Sequence, residues 1–158
     1  MGGDLFFGFW CKDSIHLCVN KRIIAVDFGL KRSGLAMSGP LLIAINPLET
    51  VHSSQLIDRL VGLAEEYEIG VIVFGDSRHK DEKLNKQAKE LLGITRKLKK
   101  ILKSDVEIDY EDESYTSIEA KDLLMASGVK QSKRREKNAI DQMSAVIILK
   151  RYLESKGL

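Results

Sequence analysis

Residues Ile23 to Ser38 read IIAVDFGLKRSGLAMS, and the fold turns on what Asp27 is doing there. Four apolar residues, Ile23 to Val26, have the continuous pattern of a strand covered on both faces, and an ionised carboxylate then follows at once. Gly29 and Gly34 bracket the basic pair Lys31 and Arg32. The chain is therefore expected to turn and run back through Leu35 and Met37 as a second strand. Asp27 then stands at the mouth of a hairpin, on rigid backbone.

Working outward, Arg22–Phe28, Ser33–Ser38 and Leu41–Asn46 are three short apolar runs separated by Gly or Gly-Pro, which suits an antiparallel meander. Leu56, Ile57, Leu60, Leu63 and Ala64 recur at helical spacing within Ser54–Tyr67, an amphipathic helix. Ile69 to Gly75, IGVIVFG, is a second continuous apolar strand. A long helical pattern over Asp81–Lys103 precedes the strand VEIDYED, and two further helices are expected at about Tyr115–Ser127 and Asn138–Ser155. The order is three strands, helix, strand, helix, strand, helix, helix. A meander followed by β-α-β units predicts a mixed five-stranded α/β sheet with helices on both faces.

The bulk numbers narrow the class. The chain has 158 residues, 44% apolar and 30% charged, with a net charge of +2; this is one domain's worth of soluble core. Cys11 and Cys18 are too few for a disulfide scaffold or a four-cysteine zinc site, which points to a cytoplasmic protein. Residues 1–21 differ from the rest. They hold the only Trp and the run LFFGFW, too short to span a membrane and without the basic flank of a signal peptide. This part is expected to be an atypical extension, with an extra strand, a loose tail or an upstream reading-frame extension as its alternatives. Residues 22–158 form the single folded domain.

The acids converge in this layout. The two apolar strands are expected to lie side by side and parallel, so that Asp27 and Asp76 emerge at neighbouring strand ends. The last strand delivers Glu111, Asp112 and Glu113 to the same carboxyl edge, where open α/β sheets bind ligands. Asp141 is expected in the first turn of the final helix, whose run Met143–Leu149 packs on the sheet. Each acid alone has a plain structural use, as a dipole partner, a cap or a surface charge. Together they repel by roughly 3 kcal/mol per pair at about 5 Å and an effective dielectric near 20. A divalent cation removes that cost, and oxygen ligands without Cys or His favour Mg²⁺ or Mn²⁺ over zinc.

Basic residues are clustered as well. Arg78 to Lys103 holds ten Lys or Arg against three acids, and Lys130 to Lys137 holds five against one. Such segments beside an acidic centre suit a phosphate backbone, although a Lys-rich helix face is also commonly just solvated. Arg78, Lys97, Lys99, Lys100, Lys133, Arg134 and Arg135 are the candidates, with Lys31 and Arg32 assigned to the phosphates nearest the acids. His79 is a weaker candidate, a loop histidine. No base-reading module is present, so structure rather than sequence is the expected target.

These motifs resemble a known family. IIAVDFGLKRSGLAMS is similar to the opening motif of the YqgF/RuvX family of the ribonuclease H-like superfamily: strand, Asp, any residue, Gly, any residue, Lys-Arg, any residue, Gly, any residue, Ala. DESYTSIEAKDLL resembles the family's Asp-Glu-Arg, Thr-Thr segment, and NAIDQMSAVIILKRYL its closing helix. The match runs from about Arg22 to Leu153. It implies a ribonuclease H-like fold, catalytic and metal-holding roles for Asp27, Glu113 and Asp141, a two-metal nuclease using Mg²⁺ or Mn²⁺, and a role in maturing the 5′ end of pre-16S rRNA. Resolution of branched DNA such as a Holliday junction is the alternative, and would need a dimer to cut two strands; monomer and homodimer both stay open. FGDSRHKDEKLN departs from the family, with Asp76 and Ser77 where an apolar residue and Pro are usual, and Asp76 is a possible fourth ligand. Ser114 and Tyr115 likewise replace Arg and Thr. Sugar-kinase and actin-type ATPases share the core but need two such domains, and a binding module that has lost catalysis is the third class. No membrane is implied.

Overall fold

The computed structural model describes residues 21–76, 82–112, 116–126 and 137–158. Its strands are β1 (Arg22–Phe28), β2 (Arg32–Ser38), β3 (Ile45–His52), β4 (Ile69–Asp76) and β5 (Glu107–Asp112). Its helices are α1 (Leu56–Glu66), led in by a 3-10 turn at Ser53–Gln55, α2 (Glu82–Ile101), α3 (Thr116–Ala126) and α4 (Lys137–Lys156). One five-stranded sheet has the order β3-β2-β1-β4-β5. The β1, β2 and β3 pairings are antiparallel, while β1 with β4 and β4 with β5 are parallel, which is the mixed sheet the sequence predicts.

The continuous apolar strands are covered on both faces, as such strands must be. Ile24, Val26 and Phe28 alternate with Ile23 and Ala25 in β1, and Ile72 and Phe74 with Val71 and Val73 in β4. The first set packs with Leu56, Leu60 and Leu63 of α1 and Leu91 and Leu98 of α2. The second packs with Ala145, Ile148, Leu149, Tyr152 and Leu153 of α4. Helix α3 packs on α4.

Helix α4 crosses the sheet rather than following one strand. At its first turn the carbonyl of Asn138 accepts from Thr50 Oγ1 of β3 at 3.0 Å. At its last turns Tyr152 donates to Asp109 Oδ2 of β5 at 3.0 Å and Ser155 to Glu111 Oε2 at 3.1 Å.

The third strand begins later than its apolar run suggests. Leu41 and Ile43 are 67% and 86% exposed, in a turn closed by Gly39 N–H to Ala44 O at 2.7 Å and Leu42 N–H to Gly39 O at 3.0 Å. The strand is instead the mixed segment INPLETVH at the sheet edge, where Pro47 is tolerated because one side of the strand needs no ladder partner.

Candidate active site at the carboxyl edge of the sheet

The site is built around a missing side chain. Asp27 lies directly across from Gly34 in the β1–β2 ladder, so the two positions share one face of the sheet. A Cβ on Gly34 would lie 2.0 Å from the carbonyl oxygen of Asp141 and 2.3 Å from its carbonyl carbon. The main chain of α4 therefore occupies the space a side chain would take, and only glycine permits it. Ala25 and Ala36, paired on the same face, keep the neighbouring positions small. Asp27 and Asp141, 114 positions apart in sequence, are thus brought to the same corner of the carboxyl edge.

Asp141 falls in the second turn of α4 rather than the first, because the helix starts at Lys137. Its side chain is 18% exposed and pairs with Arg32, Nε to Oδ2, at 3.5 Å. Burial pushes its carboxyl above the usual range, and the charges of Arg32 and Lys137 pull against that without reversing it. Its charge is therefore costly where it stands, even with Arg32 as a partner. The sequence assigns Arg32 to phosphate alone; its ladder position two residues from Gly34 puts it on the same face, where it also orients Asp141.

Asp76 points elsewhere. One step beyond the Val26–Phe74 pair it is Gly75 that comes beside Asp27, so Asp76 takes the face of Ile72 and Phe74. There it lines a small pocket with Gln87, Leu91, Leu92 and Tyr110.

Glu113 directly follows β5 and lies outside the described residues, as do Arg78, His79, Lys133, Arg134 and Arg135. The described elements on either side of Glu113, β5 and α3, both contact Arg151 of α4. Arg151 donates to the Asp112 carbonyl at 3.3 Å and pairs with Glu119 of α3. Among the described residues no group of three acidic, His or Cys side chains suited to a metal ion occurs, and Asp27 and Asp141 are the described part of the predicted set.

Lys31 is exposed in the turn beside the site. Lys97, Lys99 and Lys100 are also exposed, but on α2, which covers the opposite face. Gln87 of α2 bonds the Phe28 carbonyl at the carboxyl edge. Lys97 to Lys100 lie ten to thirteen residues further along, about 15 to 20 Å away at 1.5 Å per residue. They do not share a phosphate with Lys31. Sequence patterns did not reveal the role of Gly34 or the Arg32–Asp141 pair, since both depend on where α4 crosses β2.

A mixed five-stranded sheet in this order, with helices on both faces, is the architecture of a ribonuclease H-like protein. Thermus thermophilus RuvC in complex with a Holliday junction substrate matches the fold with a TM-score of 0.55 at 13% identity, over 87% of this chain and 96% of that one. The family model described as "RuvX: Holliday junction resolvase" matches residues 21–155, and the chain belongs to that family. A Bacteroides fragilis protein named "Putative pre-16S rRNA nuclease" is 34% identical over 137 residues, 87% of this chain and 99% of its own length. Proteins with the same name from Phocaeicola vulgatus and Lachnospira eligens are 33% and 32% identical, each over 85% of this chain and 96% and 98% of their own. No helix among the described residues is long and apolar enough to cross a membrane.

Proposed function

We propose that this chain is a metal-dependent nuclease that hydrolyses phosphodiester bonds in structured RNA, processing the 5′ end of pre-16S rRNA in the cytoplasm. The observation that carries the proposal is the packing of the Asp141 main chain onto Gly34, the residue directly across the ladder from Asp27. A half-buried carboxylate whose charge is disfavoured by burial, with Arg32 as its cationic partner at 3.5 Å, suits Mg²⁺ or Mn²⁺ as a further neutralising group. Family membership and the names of the full-length relatives support the substrate class.

Asp27, Asp141 and, from the sequence motif, Glu113 would hold the metal. When bound, such ions lower the pKa of a water and stabilise charge on the leaving oxygen. The chain's own residues do the rest. Asp27 is held by the rigid β1–β2 ladder, and Arg32 fixes the Asp141 carboxylate while presenting its remaining N–H groups to the substrate strand. Lys31 adds a second cation in the turn, so the strand is drawn over the acids despite their charge. No protein nucleophile is needed.

The family description favours one second reading, cleavage of branched DNA. Purified protein incubated with precursor rRNA or a four-way DNA junction, with Mg²⁺, Mn²⁺ or EDTA, separates the two. RNA cleavage at the 5′ precursor site that EDTA abolishes is the expected result. Cutting of the junction alone selects the second reading, and no cutting of either overturns both.

A further inference from the structure

A histidine that no sequence motif singles out stands on the same face as the candidate site. His52 is the last residue of β3 and lies directly across from Arg32, just as Thr50 lies across from Gly34. Partners directly opposite in an antiparallel ladder project to one face. Thr50 confirms that face by bonding the first turn of α4, and Arg32 by reaching Asp141. His52 therefore stands one step nearer the carboxyl edge than Thr50, exposed, beside the guanidinium that borders the acids.

Its ring is oriented by two contacts at Nδ1. The backbone N–H of Ser54 points to Nδ1 at 3.4 Å, and Ser54 Oγ lies 2.8 Å from the same nitrogen. A backbone N–H can only donate, so this contact assigns Nδ1 as the acceptor and leaves Nε2 as the ring's donor. The segment carrying the ring is tied to the turn carrying Lys31 and Arg32. Ser53 N–H donates to the Lys31 carbonyl at 3.1 Å, and Ser53 Oγ donates to the Gly29 carbonyl at 2.6 Å. Three donors, Lys31, Arg32 and His52 Nε2–H, thus belong to one rigid unit at the rim of the acids.

We propose that His52 is a substrate-binding residue whose Nε2–H donates to a non-bridging oxygen of one phosphate in the strand held by Lys31 and Arg32. The assignment rests on the nuclease reading above. In this role the ring acts as a neutral, directed donor, adding direction rather than attraction. It fixes which phosphate sits at the rim and hence the register of the strand over Asp27 and Asp141.

That distinction supplies the test. Binding of a precursor rRNA fragment is measured by fluorescence anisotropy over a range of salt for the original protein, His52→Ala, His52→Asn, His52→Gln and Arg32→Ala. Asn can accept from Ser54 N–H as Nδ1 does but lacks the distal donor, whereas Gln reaches the position of Nε2. His52→Ala and His52→Asn should each weaken binding about fivefold to tenfold, the worth of one hydrogen bond, with the slope of log K against log salt unchanged. Arg32→Ala should lower that slope by about 0.7 to 0.9, and His52→Gln should recover most of the loss. Methylphosphonate placed at successive phosphates should erase the His52→Ala penalty at one position only, and nitrogen NMR of the imidazole should show the Nε2–H tautomer. Wild-type binding by His52→Asn would mean that the ring acts only as a cap for the 3-10 turn, and would overturn the proposal; so would an Nδ1–H tautomer or a penalty shared by every phosphate. Failure of the original protein to bind any RNA would instead bring down the nuclease reading, and this assignment with it.

Discussion

Gly34 decides whether the site exists. A methyl group there has no small adjustment open to it, because the atoms 2.0 to 2.9 Å from its Cβ position are the main chain of Asp141 and Gln142. Gly34→Ala must push α4 off β2 or distort the ladder, and either moves Asp141 away from Asp27. A destabilisation of about 2 to 4 kcal/mol is expected from overpacking of this kind. Cleavage should fall further than the unfolded fraction explains. Denaturant melts together with single-turnover cleavage on the folded variant check this, and wild-type rates in Gly34→Ala would show that the close approach is not needed. The residue type was legible in the sequence as part of a hairpin pattern. Its purpose was not, because the atoms it makes room for lie more than a hundred residues away.

At the scale of elements, α4 is the beam that joins the two halves of the site, and β5 anchors its far end. Burial favours the neutral form of Asp109, yet the Tyr110 N–H, the Tyr152 hydroxyl and the Lys156 ammonium together hold its carboxyl below the usual range. Tyr152 responds in the opposite sense, raised by its burial and then by the Asp109 charge. A carboxyl depressed in the folded state contributes stability that is present above its unfolded pKa and is lost as pH falls through the folded one. Asp109→Asn should therefore lower the melting temperature at pH 7, and the gap to the original protein should close below about pH 3 to 4. With Asp109 a third exposed, about 1 kcal/mol or less is expected after solvent screening. A gap independent of pH would assign the effect to packing.

The elements themselves are well predicted where hydrophobic period decides them. β1 and β4 are continuous apolar runs, and their adjacency follows from the need to cover both faces. β3 is displaced from its expected position because an edge strand is set by its partner's ladder rather than by its own apolar run, and the run Leu41–Ala44 forms the preceding turn.

For the whole molecule the question is which surface carries nucleic acid. Lys31 and Arg32 border the acids, whereas Lys97, Lys99 and Lys100 lie on the opposite face and further down the sheet. The charge runs in the sequence could not separate them, since charge density along a chain says nothing about which end of a helix reaches the site. Alanine at Lys31 and Arg32 should reduce the salt slope of RNA binding by about 0.7 to 0.9 for each phosphate left without its cation. Alanine at the Lys97 group should change it less. An equal or larger reduction from the Lys97 group would mean that the RNA wraps both faces.

The central claim is that Asp27 and Asp141 meet in order to share a metal ion, and thermal melts test it with no substrate present. Mg²⁺ or Mn²⁺ should raise the melting temperature of the original protein, because an ion held only by the folded state stabilises it by mass action. Asp27→Asn should melt at or above the original protein without metal, having lost a negative charge beside another, and should respond to metal much less. If Asp27→Asn is instead destabilised without metal, and metal shifts both proteins equally or neither, Asp27 is a structural strut and the metal site does not exist.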